Sequence, residues 1–174
     1  MSVMIKTERL LLRPIEPTDL PRLVALVNNW RVASMLSPVR FPYGQADGEA
    51  FLAFLADNPE ERAFAIVTEV GFIGSGGLHP DGAGGTAIGY WLGEPYWGRG
   101  YMSEAAGALV RHAFETDGLD ALTSAHFTEN LASARVLQKL GFRYSGESER
   151  DCLARGCKVA AREMILNRAD WTNR

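Results

Sequence analysis

Two glycines enclose one arginine in the stretch Tyr96-Trp97-Gly98-Arg99-Gly100-Tyr101-Met102, which lies between an apolar run ending near Gly93 and a long apolar stripe beginning at Met102. A strand, a short glycine loop and a helix in that order bring several backbone N–H groups to one point, where unpaired amides and the helix dipole add. Glycines suit such a loop because a side chain would keep an oxyanion away from the backbone, and Arg99 adds charge nearby. The chemistry on offer is anion binding, phosphate above all; the bland alternative is a left-handed turn that lets a strand become a helix. A second constellation, Asn130 and Ser133, has the spacing of a helix cap, with Ser133 on the same face as Val136, Leu137 and Leu140.

These residues need elements to hold them. Arg9 to Pro14 is a short apolar run closed by proline and is expected to be a strand. Thr18 and Asp19 offer N-cap chemistry to a helix carrying Leu20, Leu23, Val24, Val27 and Trp30. The prolines and glycine of Ser37 to Gly44 demand irregular chain, and a second helix follows over Gln45 to Ala56. Ala63 to Thr68 and Phe72 to Leu78 read as a hairpin, Asp81 to Gly85 as a glycine-rich connection, and Thr86 to Gly93 as a further strand. Met102, Ala105, Ala106, Leu109, Val110, Ala113 and Phe114 form the clearest helical stripe in the chain. A strand over Ala121 to Phe127 and a helix over Leu131 to Leu140, ended by Gly141, complete a right-handed crossover between parallel strands. Phe142 to Cys152 and Lys158 to Leu166 close the chain as two strands around an Arg155-Gly156 turn.

Composition limits the function classes. A chain of 174 residues supports one ordinary domain, expected here over residues 1–174, and 47% apolar with 22% charged residues is a soluble globular balance. No apolar run approaches the roughly 20 residues that span a bilayer, and no secretory signal opens the chain, so a cytoplasmic, membrane-free protein is expected. The net charge of −3 argues against broad capture of nucleic acid. Cys152 and Cys157 have no histidine at ligand spacing, so reduced thiols and no metal are expected. The dinucleotide fingerprint and the P-loop motif are both absent, which argues against a nucleotide-binding redox domain.

The order YWLGEPYWGRGYMSEA followed by TENLASARVLQKLGF resembles the GNAT superfamily of acyl-CoA-dependent N-acetyltransferases, and within it the Rim-type branch that includes ribosomal-protein N-terminal acetyltransferases. TERLLLRPIEPTDL and FPYGQADGEAF are also typical of that branch, so the resemblance covers nearly the whole chain. It implies an α/β domain with a mixed sheet of about seven strands, a splayed parallel pair at its centre and about four flanking helices. It also implies acetyl-CoA as the donor and direct attack by a primary amine. That acceptor is the α-amine of a protein or peptide, or a small-molecule amine. Dimers are frequent among such proteins, so a homodimer is a further expectation. A non-catalytic acyl-CoA sensor or interaction module with the same fold is the alternative.

By the same resemblance Trp97, Gly98, Arg99, Gly100, Tyr101 and Met102 surround the pyrophosphate of coenzyme A. The family often opens this loop with Gln or Arg, whereas here the place is Pro95. The strand before the loop is expected to carry a bulge, for which Gly89 and Gly93 are suitable, with backbone around Trp91 and Leu92 holding the pantetheine arm and polarising the acetyl carbonyl. Asn130 is expected to bond the pantetheine amides, and Ser133 to protonate the leaving thiolate. The amine must be neutral to attack, which calls for a base. Thr86-Ala87-Ile88 lacks the glutamate that many relatives place there, leaving His79 or an acid after Phe142, Asp151 or Glu149, as candidates. His112 and His126 receive no catalytic role. Trp30, Phe41, Tyr43 and Tyr90 are expected to line the acceptor side.

Overall fold

The computed structural model describes residues 3–171. Its strands are β1 (Ile5–Lys6), β2 (Leu11–Pro14), β3 (Arg62–Thr68), β4 (Gly71–Pro80), β5 (Thr86–Leu92), β6 (Ala121–Phe127), β7 (Arg143–Cys152) and β8 (Cys157–Asn167). The helices are α1 (Leu20–Val27), α2 (Trp30–Ala33), α3 (Gln45–Asp57), α4 (Tyr101–Arg111) and α5 (Leu131–Lys139). One sheet holds all eight strands in the order β1-β2-β3-β4-β5-β6-β8-β7. Neighbours are antiparallel except β5 and β6, which α4 joins as a parallel pair.

The extra strand relative to expectation is β1, whose two residues pair with Leu11 and Leu12 and are too few to show alternation. The extra helix is α2. Trp30 opens it instead of extending α1, because the Asn29 side chain accepts the Arg31 amide at 2.9 Å and restarts the helix.

Strand alternation divides the side chains between two cores. Leu109, Val110 and Phe114 of α4 and its continuation, with Leu137 of α5, pack on Leu12, Ile66, Leu78, Ile88 and Leu122. Leu23, Val27, Val32 and Tyr43 pack on Ala65 and Phe72 on the opposite face. The helical stripe read from the sequence is the buried face of α4. Each large apolar side chain so buried contributes roughly 1.5–3 kcal/mol.

The parallel pair is brief. β5 and β6 share one register position, Ala87 opposite Thr123, and the Ser124 hydroxyl then donates to Ile88 O at 2.9 Å. Asp81 secures this end by accepting the amides of Ala83 and Gly85 and the Thr123 hydroxyl, and the two amides hold its carboxyl below the usual range. Beyond Ile88 the strands part. The bulge expected in β5 is not there: β4 and β5 keep an unbroken register from Gly74–Leu92 to Pro80–Thr86. A Cβ on Gly93 would come within 2.6 Å of the Leu26 side chain, and one on Gly89 within 3.3 Å of His79 Nε2.

A clamp holds the start of α4. Glu104 Oε1 accepts the Thr7 hydroxyl at 2.6 Å and the Arg9 amide at 2.8 Å, while Oε2 takes Arg9 Nε at 2.7 Å. The same guanidinium donates to Arg99 O at 2.9 Å and lies over the Tyr101 ring. Burial alone would raise the Glu104 pKa, but the bonds from Thr7 and Arg9 outweigh it and hold the carboxyl below its ordinary value. Asp19, at the start of α1, is used differently from the cap expected of it. Its carboxylate takes both Arg13 nitrogens at 2.7 and 2.8 Å and the Glu16 amide at 2.9 Å.

Replacing Glu104 by Ala is expected to cost about 1–2 kcal/mol, because the part-buried Thr7 hydroxyl and the exposed Arg9 amide and guanidinium lose a charged acceptor that solvent replaces only in part. Urea unfolding at neutral pH measures it. Asp19 is 6% exposed, and Asp19→Asn should cost about 2–4 kcal/mol. Burial raises the Asp19 pKa, but Arg13 and the Glu16 amide depress it to a net value below 3.8. Its contribution is therefore present above that pH and lost as the pH falls through the lower folded value. The gap between parent and Asp19→Asn midpoints should accordingly close on acidification, and a gap that widens would contradict the assignment.

Candidate active site

Where β5 and β6 part, a cleft of about 1720 Å³ passes through the sheet and opens on both faces. On the α4–α5 face its wall includes Gly98, Gly100, Tyr101, Met102, Asn130 and Ser133; on the α1–α3 face it includes Trp30, Tyr43 and His79.

Gly98 and Gly100 have φ of +72° and +76°, the left-handed region that glycine alone enters without strain, and Gly100 is the N-cap of α4. A Cβ built on Gly98 meets nothing within 4 Å, so the loop faces open space there, at the start of a helix whose first amides have no partner within it. That is a cradle suited to a pyrophosphate. The Arg99 side chain is not part of the cleft wall, and its carbonyl is held by Arg9. Trp97 lines the cleft and donates from its indole to Leu92 O at 2.8 Å.

The exposed edge of β5 can be read from its pairing. Gly93 N donates to Ile73 O and the Trp91 carbonyl lies against Gly74, so the odd-numbered residues direct their backbone to β4. Ile88 O faces β6, and alternation turns the amides of Tyr90 and Leu92 into the gap with it. Of the pair expected to hold the pantetheine arm, Leu92 thus presents backbone to the cleft and Trp91 does not.

Asn130 caps α5 through Oδ1, which accepts Ser133 N at 3.2 Å, so its Nδ2 is left to donate elsewhere. Ser133 has a partner that alternation alone would have located. Tyr90 was expected on the acceptor side, but it shares the parity of Ile88, packs in the α4–α5 core, and brings its hydroxyl to 3.2 Å from Ser133 Oγ. Trp91 takes the opposite face against Phe72. Burial pushes the Tyr90 phenol up to about 12, against a smaller opposite effect of the Ser133 bond. The pair is therefore two neutral hydroxyls reaching from β5 to α5 across the gap.

On the other face, His79 Nδ1 lies 3.1 Å from Pro80 O. A carbonyl can only accept, so Nδ1 carries the hydrogen, and in the neutral ring Nε2 is the nitrogen with the lone pair. Nε2 sits 3.3 Å from where a Cβ on Gly89 would be, in the space which that glycine leaves. Trp30 lines the cleft and Tyr43 is buried at its base, whereas Phe41 stands behind Trp30 in an edge-on contact at 5.4 Å and is not in the wall. Asp151 is not brought to the site. It lies between Arg150 and Cys152, which face the α1–α3 side, so alternation directs its carboxylate and that of Glu149 to the other face. His126, given no role from sequence, is buried in the α4–α5 wall, its Nδ1–H donating to Phe127 O at 2.8 Å.

A clasp closes the α1–α3 side. Leu153 N donates to Ser37 O at 3.2 Å, Arg155 Nε donates to Ser34 O at 2.9 Å, and the Ser37 hydroxyl donates to Asp151 O. The turn between β7 and β8 is thereby tied to the segment after α2.

Comparison with known proteins agrees with this geometry. Residues 9–143 match the acetyltransferase (GNAT) domain family. The chain is 28% identical to the uncharacterized N-acetyltransferase YoaA of Bacillus subtilis (strain 168), over 84% of this chain and 86% of that one. It is 26% identical to the ribosomal protein uS5-alanine N-acetyltransferase of Escherichia coli (strain K12), over 98% and 94%. Among solved structures, a ribosomal L7/L12 alpha-N-protein acetyltransferase in complex with coenzyme A superposes with a TM-score of 0.82 at 20% identity, covering 95% of this chain and 98% of that one. With its family match, its relatives and its splayed parallel pair in agreement, the chain belongs to the GNAT family of acetyltransferases.

Proposed function

We propose that the protein moves the acetyl group of acetyl-CoA directly to a primary amine, with the donor on the α4–α5 face and the amine entering from the α1–α3 face. The observation that carries this reading is the pair of opposed functions at the gap. A neutral hydroxyl pair, Ser133 and Tyr90, stands on one side and the Nε2 lone pair of His79 on the other.

The residues fit the donor. The amides of the Gly98–Gly100 loop would bond its pyrophosphate, and Asn130 Nδ2 would donate to a carbonyl of the pantetheine arm. Acetyl-CoA when bound supplies an activated thioester carbonyl and a thiol leaving group. The amides of Tyr90 and Leu92, turned into the gap, would be the donors available to a bound thioester carbonyl, and pre-aimed donors help most where negative charge develops. His79 Nε2 takes a proton from the incoming ammonium or from the nitrogen as it bonds to carbon. Ser133 would deliver its hydroxyl proton at the departing sulfur while taking the Tyr90 proton through their shared hydrogen bond, and solvent in the open cleft would return a proton to Tyr90, so that the pair ends neutral as it began. Protein amino termini and small-molecule amines are both open to this chemistry, and the cytoplasm is its proposed setting.

Thiol release from acetyl-CoA across a panel of amines tests the reading, beside a thermal shift with coenzyme A. Amine-dependent release is expected, and a shift with no release for any amine would instead indicate a sensor. Gly98→Val should abolish the shift, since valine at φ of +72° is strained and would fill the cradle. Ser133→Ala is expected to lower kcat by about 10²-fold with the shift retained, and Tyr90→Phe to follow it in the same direction. His79→Ala should lose about 10²–10⁴-fold, with partial rescue by added imidazole. Parent-like kinetics in Ser133→Ala would remove the acid role.

A further inference from the structure

The α1–α3 side of the cleft is apolar to an extent that constrains its guest. Trp30, Leu36, Val39, Tyr43, Phe51 and Phe54 form the wall, and Trp30 and Phe54 remain nearly half exposed, at 48% and 46%. The arginines on this face are already neutralised among the described residues. Arg31 pairs with Glu94, Arg40 with Asp47 at 3.5 Å, Arg150 with Glu163 at 2.8 Å and Arg155 with Glu129. A substrate carboxylate would have to compete for each of these arginines with a carboxylate already beside it. Of the acids in the wall, Asp47 and Glu129 are used in those pairs, and Glu61 is in no ion pair among the described residues.

Glu61 has a specific place. Arg62 lies opposite Leu78 in the β3–β4 register, so Glu61, one step earlier, falls level with His79 on the same face. One carboxylate and one imidazole at the sheet are the polar partners of a single ammonium: the first attracts it, the second accepts its proton. A second ammonium would have no unpaired acid in this wall among the described residues, only apolar side chains, hydroxyls and carboxylates already engaged with arginines. The clasp of Ser34 and Ser37 to Leu153 and Arg155 further narrows this side.

We infer that the acceptor is a small monoamine whose body is an aryl or branched alkyl group and which carries no carboxylate and no second charge. The inference rests on the acetyl-transfer reading above and names the substrate of that same site. Glu61 is assigned as the residue that docks its ammonium, and the Trp30–Phe54 wall as the surface that selects its body.

The test is kcat/KM with acetyl-CoA for tryptamine, 2-phenylethylamine and isoamylamine, against tryptophan, putrescine, spermidine and a short peptide with a free amino terminus. The apolar monoamines should lead by about 10-fold or more, a discrimination that pocket burial alone can supply. Phe54→Ala should erase most of that lead by raising KM for the apolar amines, and Glu61→Gln should raise KM for every amine. Both should leave kcat within about 3-fold and the coenzyme A thermal shift unchanged, which a folding defect would not do. Putrescine, spermidine, tryptophan or the peptide matching the apolar amines would overturn the inference and leave acetyl transfer standing. A preference for hexanoyl-CoA over acetyl-CoA that Phe54→Ala abolishes would also overturn it, by giving the wall to the acyl chain. Coenzyme A binding with no amine acetylated would overturn this inference and the proposed function together.

Discussion

The separation of two parallel strands after a single shared register position is the constraint around which this molecule is organised. Interior strands normally satisfy each other's backbone groups, and leaving a stretch of central edge unpaired is costly unless something else uses it. Here the unpaired stretch is kept short and fixed at its closed end, where Ser124 and Asp81 hold β5, β6 and the glycine connection together. The rest is given over to side chains and amides directed into a cleft. The two cores lie on opposite faces of the sheet, so neither has to span the gap. A cleft open to both faces of the sheet follows from that geometry before any catalytic residue is named.

Electrostatics support the arrangement from behind. The glycine loop at the head of α4 has little to grip it by itself, since glycine contributes backbone but no packing. Thr7 and Arg9, far away in the chain, supply the grip through Glu104 and the Arg99 carbonyl. One carboxylate collects three donors and leaves the helix amides free to face outward. Placing an acid in the first turn also complements the helix dipole. The cradle is therefore electropositive where it opens and neutralised where it is anchored.

Much of this was legible in the sequence, and what was not has identifiable causes. The α4 stripe, the glycine pair and the Asn130–Ser133 cap are local patterns, and each appears where the residues placed it. The clamp was illegible because Arg9 and Glu104 are joined only by the fold. Tyr90 was assigned to the wrong face although Ile88, two residues away, already marked its side as core. Asp151 failed for the same reason: an acidic residue near an amine pocket is a matter of parity as much as of position. The bulge expected in β5 was carried over from the resemblance, and Gly93, which suited it, instead has Leu26 lying close against it. Glu61 was passed over because it precedes its strand and gains meaning only when β3 is laid beside β4.

The clasp over the α1–α3 face is made largely of main chain: the carbonyls of Ser34, Ser37 and Asp151 and the amide of Leu153 carry it. Bonds of that kind do not depend on most of the side chains between Leu36 and Tyr43, which are free to change while the roof stays in place. The fold thus separates the part of the chain that encloses a guest from the part that recognises it. A descendant lineage can exchange one guest for another by altering a handful of side chains beneath an unchanged cover, without disturbing the opposite face or the sheet.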